Sequence, residues 1–317
     1  MRFPVFDLHC DTALELVGGR EKKRRSLREN DLHIDLKRAG NFGGYTQCFA
    51  CFTTDAIKFP EGITPEIIFQ QEKSAILSEI ENNSDLIRQA FTAQDIIDNQ
   101  KNGIFSGVLT IEGTAGFGFD PDTLKELYDL GFRITTLGWN ESNALTGSHR
   151  TGGGLTEKGV CYVKTAQDLG MIVDVSHISD EAFWDIMKIT KAPIIASHSN
   201  SRTVHGASRN LTDEMFLAIC ETGGVVGINL YTDFLGEDAD LDTVCDHIEH
   251  FLKLDPSGKH IALGGDLDGC ETLPKGFSGI QDYDKLAEQL LNRGMSEDMV
   301  YNVFWNNALS VFQRCCG

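Results

Sequence analysis

A single closed (β/α)8 barrel of the TIM type is the fold class this sequence predicts, and three observations predict it. Short apolar runs alternate with helix-period segments along the whole chain of 317 residues, the pattern of a parallel sheet covered by helices. Residues of metal-ligand type recur at the C-terminal ends of separate apolar runs, and a closed barrel is what gathers all strand C-termini around one mouth. No Gly-x-Gly-x-x-Gly follows the first run, which weakens the competing open, doubly wound sheet.

The first strand is read over residues 5–11, Val5-Phe6-Asp7-Leu8-His9-Cys10-Asp11. Side chains alternate along an extended backbone, so His9 and Asp11 should point the same way where the strand gives out, with Asp7 in support. The basic run from Gly18 to Arg28 is read as a solvated loop, the sharper alternative being a cationic rim over residues 20–28 that reaches the mouth. Residues 45–52 form a near-continuous buried strand. A helix follows over 64–82, its apolar side carrying Ile67, Ile68, Ala75, Ile76, Leu77 and Ile80. A helix over 93–101 leads to a strand over 104–112 that ends in Glu112.

The alternation continues with helix 121–130, strand 133–137, helix 157–169 and strand 171–177, ending in His177. Helix 180–189, strand 193–198, ending in His198, and helix 213–221 come next. Strand 224–230, helix 241–254 and strand 260–266, ending in Asp266, complete the alternation; helices over 283–293 and 297–312 close the chain. The glycine-rich segments 152–154 and 276–279 are read as loops at the mouth. No linker, repeat or low-complexity stretch marks a boundary, so residues 1–317 are expected to form one domain.

Composition narrows the partners. Hydrophobic residues make up 41% and charged residues 24% of the chain, proportions of a globular protein. A formal net charge of -19 disfavours nucleic acid and anionic membrane and favours a small-molecule substrate. The chain has no run of about 18 apolar residues and no signal-peptide h-region at its start, so a cytoplasmic protein without membrane association is expected. The nine cysteines show no CxxC pair and read as free thiols. A homodimer is allowed for.

The strand-end residues His9, Asp11, Glu112, His177, His198 and Asp266 carry the chemistry. Two histidines, a His/Asp pair and a carboxylate suffice for two divalent ions, and Glu112 is the natural bridge because a carboxylate can offer one oxygen to each. Nitrogen and oxygen donors without cysteine fit zinc, with manganese or cobalt as replacements. Two such ions can activate a shared water and polarise a carbonyl, which is hydrolytic machinery. Asp266, on the turn Gly264-Gly265-Asp266-Leu267-Asp268-Gly269, is placed to act as general base and then general acid. Asp268 could share that role.

The motifs Asp7-Leu8-His9-Cys10-Asp11, His33-Ile34-Asp35-Leu36-Lys37-Arg38-Ala39-Gly40 with Gly43-Gly44, Ile111-Glu112-Gly113, Asp174-Val175-Ser176-His177, Ala196-Ser197-His198-Ser199, Ala207-Ser208-Arg209-Asn210 and Gly265-Asp266-Leu267-Asp268-Gly269 together resemble the membrane (renal) dipeptidase family, zinc dipeptidases of the amidohydrolase superfamily. They span nearly the whole chain in the family's order. The resemblance implies two Zn2+ per subunit, one held by His9 and Asp11, the other by His177 and His198, with Glu112 bridging. It implies Asp266 as proton shuttle and Arg209 as the grip on the free C-terminal carboxylate of a dipeptide, a job suited to a planar guanidinium. Tyr231 resembles a pocket tyrosine of the family. Tolerance for a D-residue in the second position is a further implication.

One departure stands out. Where better-known members end the fourth strand in a substrate-contacting histidine, this chain has Leu137-Gly138-Trp139-Asn140. An indole N–H donates one hydrogen bond but cannot become cationic, so Trp139 shifts oxyanion stabilisation toward the metals, with Asn140 as helper. His149, ten residues on in a glycine-rich loop, is read as a surface histidine, the alternative being that it substitutes for the missing one. Two other functions remain open: hydrolysis of N-acyl amino acids or lactones by the same metal pair, and a retired barrel that only binds ligands. His-x-Asp rather than His-x-His on the first strand, together with Arg209, favours dipeptides.

Overall fold

The computed structural model describes residues 2–18, 25–56 and 61–317. Eight parallel strands follow one another round the barrel: β1 (Val5–Cys10), β2 (Tyr45–Phe52), β3 (Phe105–Glu112), β4 (Phe132–Thr136), β5 (Ile172–Asp174), β6 (Ile194–Ile195), β7 (Val226–Ile228) and β8 (Ile261–Leu263). β8 pairs with β1, and the ring closes between β6 and β7 through a parallel bridge from Ala196 to Val226. This is the expected (β/α)8 barrel. Closure depends on Gly227 and Gly264, where a Cβ would collide with the Ser197 carbonyl oxygen.

Six of the helices lie where the periodicity puts them because their starts are written locally. Thr64, Thr92, Thr156, Ser179, Thr212 and Asp240 each accept the backbone N–H three residues on, fixing helices at Pro65–Asn82, Ala93–Lys101, Glu157–Leu169, Asp180–Ile189, Asp213–Thr222 and Leu241–Leu254. The apolar side of Pro65–Asn82 is rotated from expectation: Phe69, Ile76 and Ile80 are buried, while Ile67 faces solvent. The helix expected over 121–130 opens as a tighter turn, Pro121–Thr123, before Leu124–Asp129. The last helix is interrupted by a wider turn at Asn302–Asn306 before Asn307–Cys315.

Strands β5 to β8 are shorter than read, because their C-terminal residues leave the ladder to enter the mouth. His177 and Asp266 do so with left-handed backbones, φ 70° and 55°. The short helices Thr12–Leu16, Leu36–Ala39 and Thr232–Leu235 were not expected, nor were two β elements. A short strand, Ile87–Gln89, pairs with the first half of β3, and the glycine segment at 152–154 is one arm of a hairpin, Thr146–Ser148 with Gly152–Leu155.

The interior and its floor carry a cluster of apolar side chains. Phe6, Leu8, Cys48, Val108, Ile134, Ile172, Ile195 and Ala262 fill the barrel and meet Trp305, Val311 and Phe312 of the C-terminal segment beneath it. Phe6 packs on Trp305 and Phe312 at ring-centroid distances of 5.7 and 5.2 Å. The nine cysteines are unpaired. Among the described residues no helix is long and apolar enough to cross a membrane.

Candidate active site

The β1 ladder contains one extra residue: Asp7 pairs with Gln47 and Cys10 with Phe49. This bulge breaks the simple alternation expected of the strand and re-aims its end. Leu8 stays in the barrel core, and His9 turns into the mouth with its Nε2 3.8 Å from Asp11 Oδ1, 3.5 Å from Glu112 Oε2 and 3.8 Å from Asp266 Oδ1. The other Glu112 oxygen faces the second histidine pair, with Oε1 2.9 Å from His177 Nε2 and 3.7 Å from His198 Nε2. His177 Nε2 and His198 Nε2 are 2.9 Å apart, and the rings of His9 and His198 stack at 3.8 Å. All six strand-end residues therefore converge, with Glu112 between the two sets.

Buried carboxylates brace this cluster from below. Asp174 accepts hydrogen bonds from the backbone N–H of Ser176 and Ser197 and from Thr136 Oγ1, at 2.9, 2.9 and 2.7 Å, and from the Ser197 hydroxyl. It thereby ties the turns that carry His177 and His198. Asp7 does the same for β1 and the β8 turn, accepting from His9 N, Gly265 N and the Tyr283 hydroxyl. Asp7 is thus the support residue expected. The structural role of Asp174 was missed, although the residue lay inside a quoted motif.

Several observations fit a cation pair in this mouth. His9 Nε2 and Glu112 Oε2 are buried with no hydrogen-bond partner among the described residues, a costly arrangement unless something else satisfies them. Gly269 leaves a cradle: a Cβ there would strike both Asp266 Oδ1 and Asp11 Oδ2. Without a cation, burial alone would push the His9 imidazole down, yet Glu112, Asp11 and Asp266 outweigh it and hold its pKa at about 10. The cluster takes up positive charge. His177, held at about 4 by burial and by the Arg209 charge, and His198, held well below the usual range by burial and by the charges of His9 and Arg209, stay neutral, the form in which an imidazole can bind a metal. Burial raises Asp266 to about 6, against the pull of His9.

Arg209 is buried, and burial lowers its pKa to about 10. Its Nη1 donates to Ser199 Oγ at 2.7 Å and its Nη2 to the His198 carbonyl at 2.9 Å, while Nε has no hydrogen-bond partner among the described residues. It does not cap the helix at Asp213. Asn229 donates to Asp266 Oδ2 at 3.1 Å and to the His198 carbonyl at 3.3 Å, a contact sequence reasoning missed. Asp268 is engaged elsewhere: it accepts from Thr12 Oγ1 and from the His33 N–H at 2.6 and 2.7 Å.

Trp139 is half-buried, its ring edge-on to Phe52 at 5.1 Å and 6.4 Å from the His177 ring. Asn140 Oδ1 lies 3.0 Å from His177 Nδ1 and 2.9 Å from His149 Nε2. His149 is therefore not a surface residue: the hairpin folds it against the site, its other nitrogen 2.9 Å from Ser208 Oγ. Tyr231 stands half-buried after β7, edge-on to Phe234 at 5.1 Å. Of the basic run, residues 19–24 lie outside the described residues. Arg25 pairs with Asp31 and Arg28 with Asp85.

A second cluster of ligand types, Cys220, Asp255 and His260, sits at the opposite end of the barrel. There the Asp255 oxygens accept from Ser257 and the His260 Nδ1–H donates to the Gly224 carbonyl, so these groups have partners within the chain.

The family described as membrane dipeptidase (peptidase family M19) matches residues 1–315. An uncharacterized dipeptidase of Schizosaccharomyces pombe is 36% identical over 215 residues, covering 66% of this chain and 53% of that protein, so the match spans about half the relative's length. A crystal structure of a metallo peptidase from Rhodobacter sphaeroides, liganded with a phosphinate mimic of the dipeptide L-Ala-D-Ala, superposes with a TM-score of 0.87 at 25% identity, covering 99% of this chain and 100% of that one. The structure of a dipeptidase described as AC, a metallo peptidase of family M19, superposes with a TM-score of 0.88 at 26% identity over 100% of both chains.

Proposed function

The chain belongs to the membrane dipeptidase family, and from that premise we propose that it is a binuclear-zinc dipeptidase whose substrates carry a free C-terminal carboxylate. The observation that carries this reading is the mouth itself, where His9, Asp11, Glu112, His177, His198 and Asp266 meet beside a buried Arg209 guanidinium. In this reading residues 1–317 act as one catalytic domain. His9 and Asp11 would hold one ion and His177 and His198 the other, with Glu112 shared between them. The nitrogen and oxygen donor set suits zinc. When bound, such ions would supply Lewis acidity that polarises a peptide carbonyl and acidifies water.

The chain's own residues do the rest. Asp266, steadied by Asn229, accepts the proton of the attacking water and returns it to the amide nitrogen as the C–N bond breaks, releasing two amino acids. Arg209 offers a charge-assisted grip for the substrate carboxylate, and its burial makes an unpaired state unfavourable. That grip sets the distance from C-terminus to scissile bond and so favours dipeptides. Trp139, Asn140 and Tyr231 complete the substrate wall. The L-Ala-D-Ala mimic on the Rhodobacter sphaeroides relative supports tolerance for a D-residue in the second position.

Zinc-loaded protein should hydrolyse L-Ala-D-Ala and L-Ala-D-Glu and lose activity with a chelator. N-acetyl amino acids and lactones serve as the competing panel. Faster turnover of these than of any dipeptide transfers the assignment to the alternative amidohydrolase reaction, and no turnover of either with metal bound removes it.

A further inference from the structure

The hairpin Thr146–Leu155 touches the His177 turn at several points. The His149 N–H donates to the His177 carbonyl at 2.9 Å, Ser148 and Ile178 form a bridge, and the Ser179 N–H donates to the Gly147 carbonyl at 3.2 Å. These links hold a residue whose φ of 70° no side chain adopts readily. Side chains repeat the connection. Asn140 Oδ1 faces both His177 Nδ1 and His149 Nε2, while Ser148 Oγ donates to the Asn140 carbonyl at 2.8 Å and anchors that residue.

Hydrogen-bond directions follow from the chemistry. His177 can offer its Nε2 lone pair to a cation in the mouth only when its proton sits on Nδ1, and that proton needs an acceptor. The Asn140 amide oxygen is that acceptor. An amide is free to flip and present its NH2 instead, which would favour the wrong tautomer. A second N–H donor to the same oxygen, from His149 Nε2, opposes the flip. His149 Nδ1 is then an acceptor and takes the Ser208 hydroxyl proton, one residue before Arg209.

We propose that His149 is a positioning residue: it locks the Asn140 amide so that His177 presents Nε2 to the metal site, and through Ser208 it ties that ligand to the segment carrying Arg209. The proposal rests on the dipeptidase reading for Arg209 but not for the metal ligand. Outer partners of a metal-bound histidine typically change metal affinity by about 10–100-fold. His149→Ala should therefore weaken one of the two zinc-binding events by about that factor, measured by competition with a chromophoric chelator on the full chain. In the same variant KM for L-Ala-D-Ala should rise. His149→Gln, whose amide can still donate to Asn140, should recover most of the affinity; Asn140→Leu should lose it as His149→Ala does.

Unchanged zinc affinity in folded His149→Ala, judged by circular dichroism, overturns the proposal. A lowered melting temperature with wild-type affinity overturns it equally, because that outcome marks a merely structural contact. Should the wild-type protein bind zinc yet cleave no dipeptide, the dipeptidase reading fails while the affinity comparison still decides the role of His149.

Discussion

The two ends of the barrel are built on opposite terms. At the floor, the buried rings of Trp305 and Phe312 both pack on Phe6. At the mouth, His177, Asp266 and Asp268 hold left-handed backbones, three carboxylates crowd one imidazole, and the hydrogen-bond partners of a buried guanidinium among the described residues are neutral. Each departure at the mouth destabilises the fold, so the floor and the helix layer must supply the difference. The contrast separates residues that keep the chain folded from residues kept for chemistry.

Substitutions at the two ends should accordingly fail in different ways. Asp266→Asn should lower kcat by about 10²–10⁴-fold, the usual worth of a general acid–base group, while leaving zinc content and melting temperature close to wild type. A large stability loss would make Asp266 a structural residue. Phe312→Ala, at the floor, should destabilise by about 3–5 kcal/mol in denaturant titration, with kcat at 25 °C unchanged in the folded fraction. A matching fall in kcat would erase the distinction between the ends.

Arg209→Met tests the boundary. Loss of the carboxylate grip should lower kcat/KM for dipeptides by about 100-fold or more, and a dipeptide amide should feel the change far less. Stability should be unchanged or higher, since a buried cation with no carboxylate within salt-bridge distance among the described residues is exchanged for an apolar side chain.

The pH dependence of stability should come partly from a histidine belonging to neither end. His247 is fully buried, accepting the Ser201 N–H at Nδ1 and facing the Leu235 carbonyl with Nε2, and burial holds its pKa at about 4. The unfolded chain binds this proton near pH 6.5 and the folded chain near pH 4, so stability is full above 6.5 and declines as pH falls through that window. The loss should approach roughly 3 kcal/mol. His247→Gln should flatten the slope; an unchanged slope would assign it to other groups.

Much of this was legible in the sequence. Helix starts were readable because Thr92, Thr156, Ser179, Thr212 and Asp240 act within three residues of themselves. The mouth residues were readable because barrel strands all end on one side, so His9, Glu112, His177 and His198 needed only their strands to be found. What was not legible depends on pairing between distant segments. The β1 bulge exists only against β2, and His149 reads as a surface residue until the hairpin lays it on Asn140 and Ser208. The rotation of helix Pro65–Asn82 followed Phe69 and Glu72, both buried. A buried glutamate breaks the apolar period that sequence reading relies on.

A zinc titration of metal-free protein, following L-Ala-D-Ala hydrolysis and bound metal together, probes the mouth most directly. Activity that rises with added zinc and saturates at two ions per chain is the expected result. Saturation at one ion, or two bound ions without hydrolysis, contradicts a two-metal dipeptidase.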